Sequence, residues 1–176
     1  DNVSIRHQPV EFLITVAERQ PSLLTENEQY LKDLLDCVFK LMIEIDPEID
    51  EQWGDPRDPA QIKEEVDADT VVFGKEVIDR LCSSIGEDIM LPLICQLVEV
   101  TLKNEEDWRY KNAGLSAFSQ IAEYVADIEQ IAEMIPTVIK HCEHPHPKVR
   151  HSAVHCLGQF ATDLKHHLTE NYHETV

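Results

Sequence analysis

The strongest constraint on this chain is internal repetition. A shift of 39 residues lays Tyr110-Lys111 on Val149-Arg150, and Phe118-Ser119-Gln120-Ile121-Ala122 on Leu157-Gly158-Gln159-Phe160-Ala161. A shift of 144 lays Ile5-Arg6-His7 on Val149-Arg150-His151, and Leu24-Thr25-Glu26-Asn27 on Leu168-Thr169-Glu170-Asn171. A weaker copy runs from Val77 to Ile85, with Leu81 at the Leu157 position. A unit of about 40 residues cannot bury its apolar face alone, so successive copies must stack.

Inside each copy the apolar residues step by three and four. Val149, Ala153, Leu157, Phe160, Ala161 and Leu164 form one helical stripe, and Tyr110, Gly114, Phe118, Ile121, Ala122 and Val125 form another. Ile5, Leu13, Val16 and Ala17 repeat the pattern near the start, and no alternating run competes with it. The reading predicts helices over 5–20, 27–45, 69–86, 88–103, 108–125, 128–142 and 147–164, with a last one from about 169. Pro9 is expected in a first turn or at a kink, because it has no N–H. Two helices per unit at this period give an all-α HEAT-repeat solenoid. Antiparallel helix pairs would stack as a right-handed superhelix of about four repeats, interrupted by one acidic loop. Neither end carries the polar outer face of a capping repeat, so a segment of a longer solenoid is expected. The expected division is HEAT helices over 1–45, an acidic loop over 46–68, and further repeats over 69–176.

Charge is the second constraint. The net value is −19, and Glu44 to Asp69 holds eleven acids against Arg57 and Lys63, about half of the excess. Pro47, Pro56 and Pro59 prevent one helix from running through this stretch, and it carries a single aromatic residue, Trp53. Two readings stand side by side. The stretch is a solvated linker, or it is a docking strip for a basic surface, with Trp53 holding an aliphatic stem or a cation. Trp53 could also simply fasten the loop to the solenoid.

Several classes are excluded or disfavoured. Binding nucleic-acid phosphates requires an excess of Lys and Arg, so nucleic acid is not the expected partner. An anionic membrane surface is disfavoured for the same reason, and no apolar run reaches the length of a spanning helix. Asp1 to Ile5 lacks the basic-then-apolar order of a secretory signal. The five cysteines form no CxxC pair and read as reduced thiols. No GxGxxG, GxxxxGK[ST] or GxSxG is present, so no phosphate loop or nucleophile elbow is expected. Neither an enzyme nor a cofactor is therefore expected. His151 and His155 have the i, i+4 spacing of a two-ligand metal site, but no HExxH supports it, and a His-rich polar face is the simpler reading.

Four stretches, in order, resemble one family. Asn104-Glu-Glu-Asp-Trp-Arg-Tyr-Lys-Asn-Ala-Gly-Leu is similar to the NPDWRYR-AA/GL signature of importin-beta-type (karyopherin-beta) nuclear transport receptors, with Lys111 in place of the second Arg. Ile89-Met-Leu-Pro-Leu-Ile resembles the family's VLPFI run. His144 to Asp163 resembles the DPHPRVR-AA-NA-GQMATD stretch of the importin-5 (importin beta-3) branch. The Trp53 loop stands where that family carries an acidic, Trp-containing insertion.

The resemblance implies an import receptor that shuttles between cytoplasm and nucleus through the nuclear pore. Its implied partners are basic cargo with localisation signals, RanGTP, and phenylalanine-glycine nucleoporins bound between outer helices. Candidate contacts to Ran or basic cargo are Glu44, Asp46, Glu48, Asp50, Glu51, Trp53, Asp55, Asp58, Glu64 and Glu65. Second helices would line a concave face, with Gln120, Glu123, His155 and Gln159 turned toward the partner. Trp108 is expected to plug the junction between repeats. Arg109, Lys111 and Arg150 are expected to pair with acids of a neighbouring repeat, Asp107 and Asp163 being candidates. A non-transport HEAT scaffold, such as a phosphatase or chromatin regulatory subunit, keeps the fold and changes the partner. A metal-dependent enzyme at the His-rich end is the third reading.

Overall fold

The computed structural model describes residues 3–45, 53, 69–126, 129 and 131–164. Helices α1 (Val3–Arg19), α2 (Ser22–Thr25) and α3 (Glu28–Ile43) precede the acidic stretch. After it come α4 (Asp69–Ile85), α5 (Glu87–Leu102), α6 (Trp108–Gln120), a 3₁₀ turn (Ala122–Tyr124), α7 (Ile135–His141) and α8 (Pro147–Asp163). Among the described residues there is no strand.

Two rows emerge from the packing. The second helices stack in sequence, α1 on α4, α4 on α6 and α6 on α8. Each first helix packs on its own partner: α3 on α4, α5 on α6 and α7 on α8. This antiparallel pairing with stacking between neighbours is the HEAT solenoid expected from the 40-residue period. The core is aliphatic and continuous between the rows, with Ile14, Leu35, Ile78, Leu81, Ile94 and Leu115 fully buried. Phe118 of α6 and Phe160 of α8 meet edge to face at 4.9 Å and bind two repeats together.

Local chemistry sets the helix ends. Asn27 and Asp107 accept backbone N–H bonds from Gln29 and Arg109 at 3.1 and 3.0 Å, capping α3 and α6. Gly86 joins α4 to α5 at φ 102, a conformation that side chains disfavour. Between α5 and α6 the backbones come close at Gly114, where a Cβ would lie 2.3 Å from Thr101 Oγ1.

Three boundaries differ from the periodicity. The helix expected over 128–142 starts only at Ile135, because Pro136 fits the first turn of a helix and not its interior. The helix expected to reach 125 ends at Gln120. There the Ser119 hydroxyl donates to Ser116 O at 2.8 Å and the chain tightens into the 3₁₀ turn. Helix α2 is additional; Pro21 sits at its N-cap. Pro9 lies within α1, beyond its first turn. The last expected helix, from about 169, lies outside the described residues. No described helix is long and apolar enough to cross a membrane.

Candidate functional site

The starting points are the four polar positions of the second-helix row. Gln120 ends α6, and His155 and Gln159 stand one turn apart on α8. Glu123 belongs to the 3₁₀ turn rather than to a helix. Together with Ser119 and Asp163 they line one groove of about 160 Å³ between adjacent repeats. That is space for a side chain, not for a small-molecule substrate.

The groove is acidic, with Glu123 and Asp163 in its lining. Tyr124 donates to Asp79 Oδ1 at 2.7 Å, bringing α4 to the 3₁₀ turn. A hydrogen bond shared with Asp79, followed by burial and the neighbouring Asp163 charge, raises the Glu123 carboxyl above the usual glutamate range. Gln159 Nε2 donates to Asp163 Oδ2 at 3.2 Å and orients it. Such a groove presents acceptors and carboxylates to a cation or a donor. The Ser119 hydroxyl at its edge donates to the Ser116 carbonyl.

Next to it lies a polar seat of opposite sign. Lys75 of α4, Ser116 and Ser119 of α6, and Lys148, His151 and His155 of α8 surround a space of about 10 Å³, enough for one water. Trp53 covers the Lys148 and His151 side of it. The Lys148 ammonium is 4.6 Å from the indole centroid, and the His151 ring is 5.2 Å away. Within the structure Trp53 is thus fastened to the solenoid, holding an internal cation.

Glu44 pairs with Arg6 of α1, and its carbonyl accepts from Thr70 Oγ1 at 3.0 Å. Asp46, Glu48, Asp50, Glu51, Asp55, Asp58, Glu64 and Glu65 lie outside the described residues.

The expected ladder of bases takes another form. Arg109 Nε binds Asp107 of its own turn at 3.0 Å. Lys111 donates to Asn104 O, and Arg150 to the carbonyls of His144 and Pro145, both at 2.9 Å. These bases bind groups of the turn within their own repeat, and Lys111 also meets Glu105 of that turn at 3.5 Å. Asp163 takes Gln159 instead of a base.

The contacts between repeats are different ones. Arg80 of α4 reaches Glu18 at 2.7 Å and Glu11 at 2.9 Å on α1, and the two carboxylates hold its guanidinium charged. Ser152 donates to Asn112 at 2.7 Å in the core between α8 and α6. Trp108 stacks on His146 at 3.8 Å, joining the starts of α6 and α8. Arg80 belonged to no motif, and only its position on the inward side of an α4 turn could have signalled it.

His151 and His155 lie 6.4 Å apart by ring centroids. Among the described residues no group of three or more His, Cys, Asp or Glu side chains is arranged to hold a metal. Burial pushes the Cys82 and Cys95 thiols up to about 12 and about 11, so both stay protonated and unreactive at neutral pH.

Comparison with known proteins adds relatives to this geometry. The importin repeat model matches residues 2–92, and the HEAT-like repeat model matches 108–160. Importin subunit beta-3 of Saccharomyces cerevisiae is 26 % identical over 175 residues, covering 97 % of this chain and 16 % of that protein. The crystal structure of Kap121p bound to Nup53p superimposes with a TM-score of 0.79 at 25 % identity, covering 94 % of this chain and 16 % of that one. Kap121p bound to RanGTP superimposes with the same TM-score at 24 % identity and the same coverage. This chain therefore spans about one sixth of the length of these relatives. With an importin repeat followed by HEAT-like repeats on a shared solenoid, the chain belongs to the importin-beta family.

Proposed function

We propose that this chain is a partner-binding part of a nuclear import receptor, taking basic cargo or RanGTP on the second-helix row. The observation that carries this is the convergence of Gln120, Glu123, His155 and Gln159, with Asp163, on one acidic groove. A lysine or arginine side chain fits both its size and its sign. The acidic stretch over 46–68 acts as a second contact, its like charges drawing a cationic partner inward. The similar solved structures support the same class: Kap121p is bound to RanGTP in one and to Nup53p in another. Nucleoporin segments would use the outer row, and the receptor would shuttle between cytoplasm and nucleus.

The test is direct binding. Fluorescence anisotropy with a labelled lysine–glycine peptide, and a separate titration with RanGTP, should each show saturable association. Glu123→Gln with Asp163→Asn should weaken the peptide about tenfold, the scale of a charge-assisted contact. Failure of both ligands to bind the chain would overturn the reading.

A further inference from the structure

The seam between α6 and α8 carries a polar contact deep in the core. Asn112 of α6 is fully buried and Ser152 of α8 nearly so. The Ser152 hydroxyl donates to Asn112 Oδ1 at 2.7 Å, while the buried Asn112 Nδ2 has no hydrogen-bond partner among the described residues. An amide has two ends, and Ser152 serves one of them. A half-served buried amide costs stability, and an apolar pair of the same outline would fill the space without that cost. What an apolar pair lacks is direction. The edge-to-face contact of Phe118 with Phe160 is held by burial and dispersion, which change little as one helix slides along another. A 2.7 Å hydrogen bond is lost within about one ångström of sliding. A buried Asn in a helix seam can therefore fix register at the expense of stability.

We propose that Asn112 and Ser152 are positioning residues: their hydrogen bond fixes the register of α8 on α6, and with it the match between the two walls of the acidic groove. The inference rests on the binding role of that groove proposed above. The walls come from different elements. Ser119 and Gln120 belong to α6, and Gln159 and Asp163 to α8. Gln120 lies eight residues beyond Asn112, and Gln159 seven beyond Ser152, about 12 Å and about 10 Å along continuous helices. A slip of one residue would carry Gln159 and Asp163 past Gln120 by about 1.5 Å. Glu123 would not follow them, because its turn is tied to α4 through Tyr124 and Asp79. The carboxylates that are to meet one cation would then part.

Two readouts separate positioning from plain stabilisation, and far-UV circular dichroism checks that each variant keeps its helices. Asn112→Leu with Ser152→Ala makes both partners apolar at nearly the same outline. This double variant should melt at the same temperature as the unmodified chain or higher. Its α8 amides should nonetheless show microsecond-to-millisecond exchange in nitrogen-15 relaxation dispersion, while α4 and α5 stay quiet. Its affinity for the lysine–glycine peptide should fall about threefold to tenfold. Ser152→Ala alone leaves the whole amide unpaired, so it should melt lower and show the same exchange. Ser152→Thr keeps the hydroxyl and should keep a quiet α8 and most of the affinity.

A quiet α8 in Ser152→Ala, or in a folded double variant, would overturn the register role. So would a double variant that melts well below the unmodified chain, since the bond would then be an ordinary stabilising contact. If Glu123→Gln with Asp163→Asn weakens peptide binding while the folded double variant does not, the groove stands and its positioning by this pair falls. If the unmodified chain binds no peptide, the binding role falls and the positioning of the groove with it, even where dispersion shows that the pair fixes register.

Discussion

At Gly114 a missing side chain decides how near two helices come. A Cβ there would meet Thr101 Oγ1 at 2.3 Å and Thr101 Cβ at 3.3 Å, on a β-branched residue with little rotamer freedom. Gly114→Ala should lower stability by about 1–2 kcal/mol, because overpacking outweighs the gain in helix propensity. Gly158 is the internal control. It also lies within a helix, but a Cβ there meets nothing within 4 Å, so Gly158→Ala should be neutral or raise stability by up to about 1 kcal/mol. Thermal melts of the two variants should move in opposite directions. The sequence places both glycines on helices, yet nothing in it separates them. The difference is made by Thr101, which belongs to another helix. Arg80 was hidden in the same way, since its partners Glu11 and Glu18 sit on α1, far away in sequence. Gln120, Glu123, His155 and Gln159 line one groove, and of these the repeat alignment itself pairs only Gln120 with Gln159.

Among the elements, α8 has the most conditional start. His146 Nδ1 accepts from Lys148 N at 3.3 Å, and His144 Nδ1 accepts from His146 N at 3.1 Å. Both bonds need an unprotonated Nδ1. Burial first, then the charge of Lys111 and the nearby imidazoles of His141 and His146, lower the His144 pKa below its ordinary 6.5. A base with a depressed folded-state pKa is protonated more readily when unfolded. Its contribution to stability is therefore complete above pH 6.5 and fades as pH falls through the lower folded value. Acidification over this window should speed amide exchange at the start of α8 before it affects α4 or α5.

At the other end, α1 is held to α4 by Arg80, whose side chain is 25 % exposed while Glu11 and Glu18 are near 40 %. With screening counted, Arg80→Ala should cost about 1 kcal/mol and raise exchange in α1 selectively. The periodicity located seven of the described helices. It misjudged the starts and ends governed by Pro136 and Ser119, where local bonding overrides the stripe.

For the molecule as a whole, the HEAT solenoid agrees with membership of the importin-beta family. Its architecture was legible because period, helical stripe and turn spacing all specify the same stacking. The proposed partner surface was less so. It depends on which residues of different repeats face one another, and the acidic stretch bears no periodic signal. A net charge of −19 repels itself in the folded state. Added sodium chloride should therefore raise the melting temperature of the chain while weakening the proposed binding of basic ligands, an opposition that calorimetry and anisotropy can record in one salt series.

The contact from Trp53 to α8 has a mechanical meaning as well. A stack whose members touch only their immediate neighbours behaves as a spring, because each junction can twist a little without informing the next. Trp53 adds a strut that bypasses a junction, from the connection between α3 and α4 to the first turns of α8. While the strut holds, the pitch of the superhelix across α4, α6 and α8 cannot lengthen freely. Elastic give is thereby pushed toward the segments on either side.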